Sequence, residues 1–269
     1  MDLETMTRRV WFTSSTAGLA AAAAAPAQTT AGKKAKYKQA VTRGCFRRPQ
    51  NPMTLDEMCK LAADLGVKGF DLIGPQDFPT LKKYGLTPTM VPSASGIRDG
   101  IIRTDLHDKF EAGVKESIDL AAAAGAPNVI ILSGERKGMP DEQGMDNAVA
   151  FFNRVKKHAE DKGVTLAMEL LNSKVNHPDY MCDHSKWGIE VCKRVGSPRV
   201  KLLYDIYHMQ IMEGDVIRTI RDHHQWFAHY HTAGNPGRHE LNDQQEIFYP
   251  AIARAIIETG YSGWVAHEY

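Results

Sequence analysis

Four apolar runs in the C-terminal third of the sequence each end in a side chain that can bind a metal ion. The residues at these ends are Glu169, Asp205, His231 and Glu268. The intervals between them are long enough for a helix and its loops, so the pattern predicts parallel strands joined by helices. Because such strands place their carboxyl ends on one face, we expect the four side chains to converge there. Carboxylates with one imidazole are a ligand set suited to a divalent cation.

Each of these residues, taken alone, also has an ordinary structural explanation. Glu169 could simply end a strand, Asp205 could cap the next turn, and His231 could be a hydrogen-bonded core histidine. The set is more informative, because three carboxylates buried together would repel one another and raise their pKa values. A divalent cation removes that repulsion, so the pattern favours a metal site over four unrelated residues.

The elements that would position this site can be followed along the sequence. Eight strand-like segments alternate with seven helical ones, and the length of 269 residues fits a (β/α)8 TIM barrel of the α/β class. The predicted strands are 37–46, 67–73, 86–91, 128–132, 164–171, 200–207, 226–231 and 264–268. The sequence stops at Tyr269, directly after the eighth strand, so this barrel is predicted to lack its final helix. A doubly wound sheet is the alternative, but it gives no reason for ligands on four consecutive strands.

The N-terminal residues are typical of an export signal. The pair Arg8-Arg9 precedes an apolar run of small residues, and Ala25-Pro26-Ala27 resembles a cleavage site. This pattern predicts a twin-arginine signal and a periplasmic protein, with an Ala-rich helix or a lipid-facing anchor as the alternatives. The predicted domains are a signal peptide (1–27), a linker (28–36) and the barrel (37–269).

The charge balance argues against a nucleic-acid partner. Lys and Arg number 33, Asp and Glu number 32, and no basic stripe stands out. No segment after the leader is a candidate membrane span, so no membrane association is expected once the leader is removed. The predicted partner is a small-molecule substrate.

Three motifs carry a family resemblance: YDIYHMQ at 204–210, HTAGNPGRHE at 231–240 and GWVAHEY at 263–269. Together they resemble the hydroxypyruvate isomerase branch of the xylose isomerase-like barrels, to which the tagatose and psicose 3-epimerases are close cousins. The resemblance covers residues 37–269. Homo-oligomers are common in this family, and an uncovered barrel seam would add a reason to associate.

The resemblance implies one Mn²⁺, Mg²⁺ or Co²⁺ ion held at Glu169, Asp205, His231 and Glu268. It also implies that Glu169 and Glu268 form an acid/base pair. Two such groups on opposite sides of a substrate can move a proton between C1 and C2 of an α-hydroxy carbonyl compound through an enediolate. The implied activity is an aldose–ketose type isomerisation of hydroxypyruvate and tartronate semialdehyde, or of a sugar. Ketose 3-epimerisation is the alternative.

Three further residues are candidate substrate contacts. By resemblance to the epimerases, His208 would lie on the loop above the metal and hydrogen-bond a substrate oxygen. Arg238 would reach the hydroxyls or carboxylate of the substrate, and its fork-shaped guanidinium suits a carboxylate such as that of hydroxypyruvate. Asn172 would orient Glu169 or contact the substrate.

Two other classes of function stay open. A hydrolase or lyase, such as an apurinic endonuclease-type enzyme, would need more metal ligands and a basic DNA-binding face, and neither is visible in the sequence. A non-catalytic periplasmic sugar-binding barrel would keep its ligand binding in Glu169→Gln and Glu268→Gln. The export signal is unusual for a hydroxypyruvate isomerase of central metabolism and favours sugars or their derivatives as substrates.

Overall fold

A computed structural model describes residues 37–46 and 50–269. The predicted signal peptide and linker lie outside the described residues. The strands are β1 (Lys38–Val41), β2 (Gly69–Phe70), β3 (Thr87–Pro88), β4 (Asn128–Ile131), β5 (Thr165–Glu169), β6 (Val200–Asp205), β7 (Phe227–Thr232) and β8 (Trp264–His267). The α-helices are α1 (Leu55–Asp64), α2 (Phe78–Lys83), α3 (His107–Ala124), α4 (Asp141–Lys162), α5 (Ser185–Val195), α6 (Ile206–Met212), α7 (Val216–His223) and α8 (Tyr249–Glu258).

The strands form one parallel sheet that curls into a barrel. The hydrogen-bonded order is β3-β2-β1-β8-β7-β6-β5-β4, so the first strand lies beside the last. Beyond the end of β3, Val91 forms a parallel bridge with Val129 of β4. The Val91 N–H donates to Asn128 O at 3.0 Å, and the Ile130 N–H donates to Val91 O at 3.0 Å. The two ends of the sheet therefore meet, and the predicted TIM barrel is confirmed.

Local signals in the sequence account for the helix ends. The Thr54 hydroxyl accepts a hydrogen bond from the Glu57 N–H, and the Glu57 carboxylate accepts one from the Thr54 N–H, so a capping box starts α1. Gly125, Gly163 and Gly196 follow α3, α4 and α5 with φ angles of 71°, 70° and 66°. These left-handed conformations stop a helix, and glycine adopts them without a steric penalty.

Alternation along the strands decides which side chains reach the barrel interior. Ala167 of β5 and Leu203 of β6 form a small buried cluster with Met90, separate from the large cluster between the sheet and the helices. Successive side chains on a strand point to opposite faces. Glu169 and Asp205, two residues beyond Ala167 and Leu203, therefore point into the same interior, at its carboxyl end.

The main departure from the predicted elements lies after β6. The strand predicted over 200–207 ends at Asp205, and α6 begins at Ile206. Asp205 caps this helix, because its Oδ1 accepts a hydrogen bond from the His208 N–H at 3.1 Å. A short buried apolar segment is compatible with a strand or a helix, which is why periodicity alone misplaced the boundary. Asp215, with a φ of 44°, then lies between α6 and α7.

β8 ends at His267, and Tyr269 is the last residue of the sequence. Within residues 37–46 and 50–269, none of the helices has the length and apolarity required to cross a membrane.

Candidate metal centre and active site

The four predicted metal ligands meet at the carboxyl end of the barrel. Glu169, Asp205, His231 and Glu268 each offer one ligand atom, and these atoms all lie within 4.8 Å of one another. His231 Nδ1 lies 2.7 Å from Glu268 Oε2, 3.4 Å from Glu169 Oε1 and 3.9 Å from Asp205 Oδ2. The structure thus brings together the residues that the strand ends predicted, while their binding of a metal stays a prediction.

The hydrogen bonding of His231 tests whether this group fits a cation. Its Nε2 lies 2.8 Å from Asp71 Oδ2, and because a carboxylate only accepts, Nε2 carries the hydrogen. In the neutral ring Nδ1 then presents a lone pair to three carboxylates. Nδ1 is buried and forms no hydrogen bond with any described residue, and the same holds for Glu268 Oε2, which has ion-pair contacts only. Lone pairs that converge in this way require a positive charge, so the donor set fits a divalent cation.

The electrostatics of the cluster point the same way. Burial lowers the pKa of His231, but the charge of Glu268 and the hydrogen bond to Asp71 more than reverse this, and the pKa lies well above its ordinary value. Burial raises the pKa of Glu169 to about 7; the nearby His231 opposes this rise, and the charge of Glu268 adds to it. The cluster therefore retains protons at neutral pH, and a bound cation would displace them.

Asp71 is a site residue that sequence reasoning missed. It directly follows β2, is fully buried, and accepts hydrogen bonds from His231 and from the Thr89 hydroxyl. Its Oδ1 also lies 3.3 Å from His229 Nε2. An acceptor on the non-ligating nitrogen of a histidine sets its tautomer and its ring orientation. The signal was an apolar residue followed by a carboxylate, as at Asp205, but the strand predicted over 67–73 ran past it.

Arg238 lies against the carboxylates of the cluster. Its Nη2 is 2.7 Å from Glu268 Oε2 and 3.4 Å from Asp205 Oδ2, and its Nε donates to Glu268 O at 3.1 Å. The guanidinium also packs 5.5 Å from the centre of the Tyr207 ring. Arg238 has a φ of 58° and belongs to a turn closed by backbone hydrogen bonds over 234–239. Its guanidinium is therefore directed at the metal-binding cluster.

His208 is a fully buried residue of α6, and not part of the predicted loop. Its Nδ1 faces the backbone N–H of Asn172 at 3.2 Å and the Asn172 Nδ2 at 2.6 Å, while its Nε2 faces Arg238 Nη1 at 3.1 Å. Burial and the charge of Arg238 hold the pKa of His208 well below its ordinary value, so the ring is neutral.

Asn172 holds this histidine in place. Its Oδ1 accepts hydrogen bonds from two backbone N–H groups of the turn that follows, at 3.0 and 2.9 Å, so its amide NH₂ must face His208. The side chain of Asn172 is thus hydrogen-bonded to His208 rather than to Glu169, which makes it a positioning residue for the imidazole.

A cavity of about 450 Å³ opens at the mouth of the barrel above the cluster. Its lining comes from the loops after β1, β2, β7 and β8: Thr42, Arg43, Gly44, Asp71, Leu72, Gly237, Arg238, Glu268 and Tyr269. A larger cavity of about 790 Å³ lies beside the start of α5 and contains none of the four candidate ligands. The mouth cavity is therefore the candidate substrate site.

Comparison with known proteins shows that this chain is similar to a group of isomerases. The family described as the xylose isomerase-like TIM barrel matches residues 59–269. The 2-oxo-tetronate isomerase of Pectobacterium atrosepticum is 28% identical over 225 residues, which cover 78% of this chain and 84% of that protein. The hydroxypyruvate isomerase of Escherichia coli is 27% identical over 220 residues, which cover 77% of this chain and 84% of that protein.

Solved structures share the same architecture. A protein described as an AP endonuclease of family 2 from Brucella melitensis superposes with a TM-score of 0.78 at 27% identity, over 87% of this chain and 93% of that one. A D-psicose 3-epimerase superposes with a TM-score of 0.70 at 15% identity, over 86% and 85% of the two chains. At that identity the second likeness shows the fold alone.

Proposed function

Since the chain belongs to the xylose isomerase-like TIM barrel family, we propose that it is a metal-dependent isomerase of a small 2-oxo or hydroxy acid, of the hydroxypyruvate or 2-oxo-tetronate type. The names of the relatives from Pectobacterium and Escherichia support the reaction class and the type of substrate. The observation that carries the proposal is the convergence of His231 Nδ1 and three carboxylates within 4.8 Å, where the buried Nδ1 has no hydrogen-bond partner among the described residues.

Glu169, Asp205, His231 and Glu268 would hold one Mn²⁺, Mg²⁺ or Co²⁺ ion. When bound, such an ion polarises the carbonyl and hydroxyl oxygens of the substrate and stabilises the negative charge that develops on them. Three carboxylates suit a hard cation, and one imidazole is compatible with all three metals. Asp71 contributes by holding a hydrogen on Nε2 of His231, so that Nδ1 is the nitrogen directed at the metal.

Glu169 and Glu268 are the proposed acid and base. Glu169 is buried at the cluster, and with one carboxylate oxygen on the metal its other oxygen would accept and return the proton. Glu268 borders the cavity with 24% of its side chain exposed, and Arg238 holds its position. One carboxylate removes a proton from the hydroxyl-bearing carbon and a proton is returned to the former carbonyl carbon. The hydroxyl hydrogen moves between the two oxygens, so the product is an isomer of the substrate.

His208 acts in this proposal through Arg238. Because Nδ1 accepts hydrogen bonds from Asn172, Nε2 of the neutral imidazole carries the hydrogen; it lies 3.7 Å from Asp205 Oδ2 and 3.1 Å from Arg238 Nη1, so the ring limits the positions of the guanidinium by contact. A direct contact between His208 and the substrate stays a prediction, since the residue is fully buried and does not line the cavity.

The reaction can be tested by NMR in D₂O with metal-stripped protein that has been reloaded with Mn²⁺. Incubation with hydroxypyruvate or 2-oxo-tetronate should place deuterium on the carbon next to the carbonyl. The exchange should require the metal and should disappear in Glu268→Gln. Stoichiometric metal binding without exchange on either compound would contradict an isomerase and favour a binding protein.

The same preparation should be incubated with a DNA duplex that carries one abasic site, because the Brucella structure is described as an endonuclease. The near-zero net charge of this chain does not favour extended contact with a phosphate backbone. Cleavage of the DNA strand that requires the metal would show that the protein is a phosphodiesterase and not an isomerase.

We also propose that residues 1–27 direct export to the periplasm, as the arginine pair and the Ala25-Pro26-Ala27 sequence suggest. Replacement of both Arg8 and Arg9 by Lys should retain the full-length chain in the cytoplasm. Equal periplasmic recovery of both forms would contradict a twin-arginine signal.

A further inference from the structure

Arg43 is a second arginine at the mouth of the barrel, and none of the sequence motifs includes it. It begins the short turn Arg43–Phe46 after β1 and lines the same cavity as Arg238 and Glu268. Its side chain is 46% exposed, and its Nη2 donates a hydrogen bond to Asp77 Oδ2 at 2.8 Å. Among the described residues, Asp77 is the one acceptor that contacts this guanidinium, so Nε and Nη1 remain available to a ligand.

The other charged groups of the cavity are directed at the metal-binding cluster. Arg238 contacts Asp205 and Glu268, and the Asp71 carboxylate accepts its hydrogen bonds from His231 and Thr89. Among the residues that the structure describes, the charge of Arg43 is paired with Asp77 alone, outside this cluster. A negatively charged ligand in the cavity would therefore find its cationic partner in Arg43 and not in Arg238.

The turn that carries Arg43 has a defined position relative to the cluster. The Thr42 N–H donates to His267 O at 3.0 Å, and the Cys45 thiol donates to the same oxygen at 3.1 Å. A Cβ added at Gly44 would lie 2.6 Å from Tyr269 O, so the turn packs closely against the residues that follow β8. Since Glu268 follows β8 as well, these contacts fix the backbone of the turn that carries Arg43 relative to Glu268.

We propose that Arg43 recognises the carboxylate of the substrate and makes the enzyme selective for sugar acids over neutral sugars. The inference rests on the proposed function, which places the carbonyl and hydroxyl oxygens of the substrate at the four-residue cluster. The remaining end of a small acid then extends into the cavity toward the turn after β1. A guanidinium binds a carboxylate through two parallel hydrogen bonds, and a site built for a charged group discriminates strongly against the neutral analogue.

The test compares two pairs of substrates that differ only in the carboxylate. Dihydroxyacetone is hydroxypyruvate with its carboxylate replaced by CH₂OH, and erythrulose has the same relation to 2-oxo-tetronate. Arg43→Gln should lower kcat/KM on the acids by about 100-fold, mainly through KM, and change it less than about threefold on the neutral compounds. Arg43→Lys should restore part of the loss, because it keeps the charge without the fork.

Arg98→Gln is the matched control. It removes the same charge from a side chain that is 79% exposed and does not line the cavity, so selectivity should be unchanged. Arg43→Gln should fold, since the exposed ion pair with Asp77 contributes little to stability, and thermal unfolding will verify this. An equal loss on acids and neutral compounds, or no loss on the acids, would overturn the role of Arg43.

A binding measurement separates this inference from the proposed reaction. Glycerate carries the carboxylate and two hydroxyls but no carbonyl, so it cannot be isomerised. Calorimetric titration of glycerate into the Mn²⁺-loaded protein should give a Kd that Arg43→Gln raises at least about tenfold. If the wild type turns over none of the substrates but shows this difference, the reaction is wrong and the carboxylate site stands. Equal or undetectable binding in both proteins would overturn the carboxylate site, whatever the turnover.

Discussion

Asp71 Oδ2 accepts a hydrogen bond from His231 Nε2 at 2.8 Å, on the side of the ring that faces away from the three carboxylates. Asp71 follows β2 and His231 belongs to β7, so the bond joins elements that lie far apart in the sequence. The bond places a hydrogen on Nε2, so Nδ1 is the nitrogen directed at the three carboxylates and at a cation that they would hold.

Asp71→Asn should weaken metal binding by about 10- to 100-fold, since a neutral amide no longer holds the His231 tautomer by charge. Calorimetric titration of Mn²⁺ into the metal-free variant measures the effect. Asp64→Asn, which removes an exposed carboxylate from α1, is the control and should bind Mn²⁺ like the wild type. An unchanged Kd in Asp71→Asn would show that the tautomer of His231 does not depend on this bond.

Glu169→Gln should lower kcat by about 100- to 10,000-fold, the range expected for the loss of a general acid or base. The amide oxygen can still occupy a ligand position, so metal binding should fall less than turnover. Steady-state rates at saturating Mn²⁺ together with a metal titration separate the two effects. A variant that recovers full activity at high Mn²⁺ would show that Glu169 binds the metal but moves no proton.

The stability gained from a bound metal should increase with pH. The pKa of Glu169 in the folded protein, about 7, exceeds its ordinary value of 4.5, so the stabilisation from its protonation is complete below 4.5 and is lost as the pH rises through 7. The raised pKa of His231 acts in the same direction. Bound Mn²⁺ replaces these protons.

Thermal unfolding at about pH 6 and about pH 8, with and without saturating Mn²⁺, should therefore show a lower Tm for the metal-free protein at the higher pH. The gain in Tm from the metal should be larger there. A gain that is equal at both values would show that the cluster carries no excess protons near neutrality.

Asn172→Leu should destabilise the protein by about 1–3 kcal/mol, because two backbone N–H groups of the following turn lose their acceptor. It should also reduce turnover by releasing the His208 ring from its position beside Arg238. Asn172→Asp keeps the acceptor for the turn and should lose less stability. Urea unfolding of the two variants measures the difference, and equal stability would show that the turn does not depend on this side chain.

The barrel and its four-residue cluster could be predicted because strand and helix segments alternate along the sequence. Parallel strands joined in this way place their carboxyl ends on one face of the barrel. Glu169 and Asp205 are the last residues of strands of five and six residues, which are long enough to be visible in the sequence as apolar runs. Asp71 was not predicted as a site residue because β2 has only two residues, too few for the sequence pattern to locate the end of the strand. His208 was placed on a loop because a buried apolar segment can form a strand or a helix. Arg43 falls inside the strand predicted over 37–46, whereas β1 ends at Val41, and its proposed role depends on the pairing of β1 with β8, which no local pattern encodes.

The candidate metal ligands and the residue proposed to recognise the substrate carboxylate lie in different halves of the barrel. All four candidate ligands come from β5 to β8, a contiguous half of the barrel, whereas Arg43 follows β1 in the other half. The proton-transfer chemistry and the choice of substrate can therefore change independently of each other. Exchange of the turn after β1 would be the natural route, in evolution or in design, to move this scaffold from acids to neutral sugars.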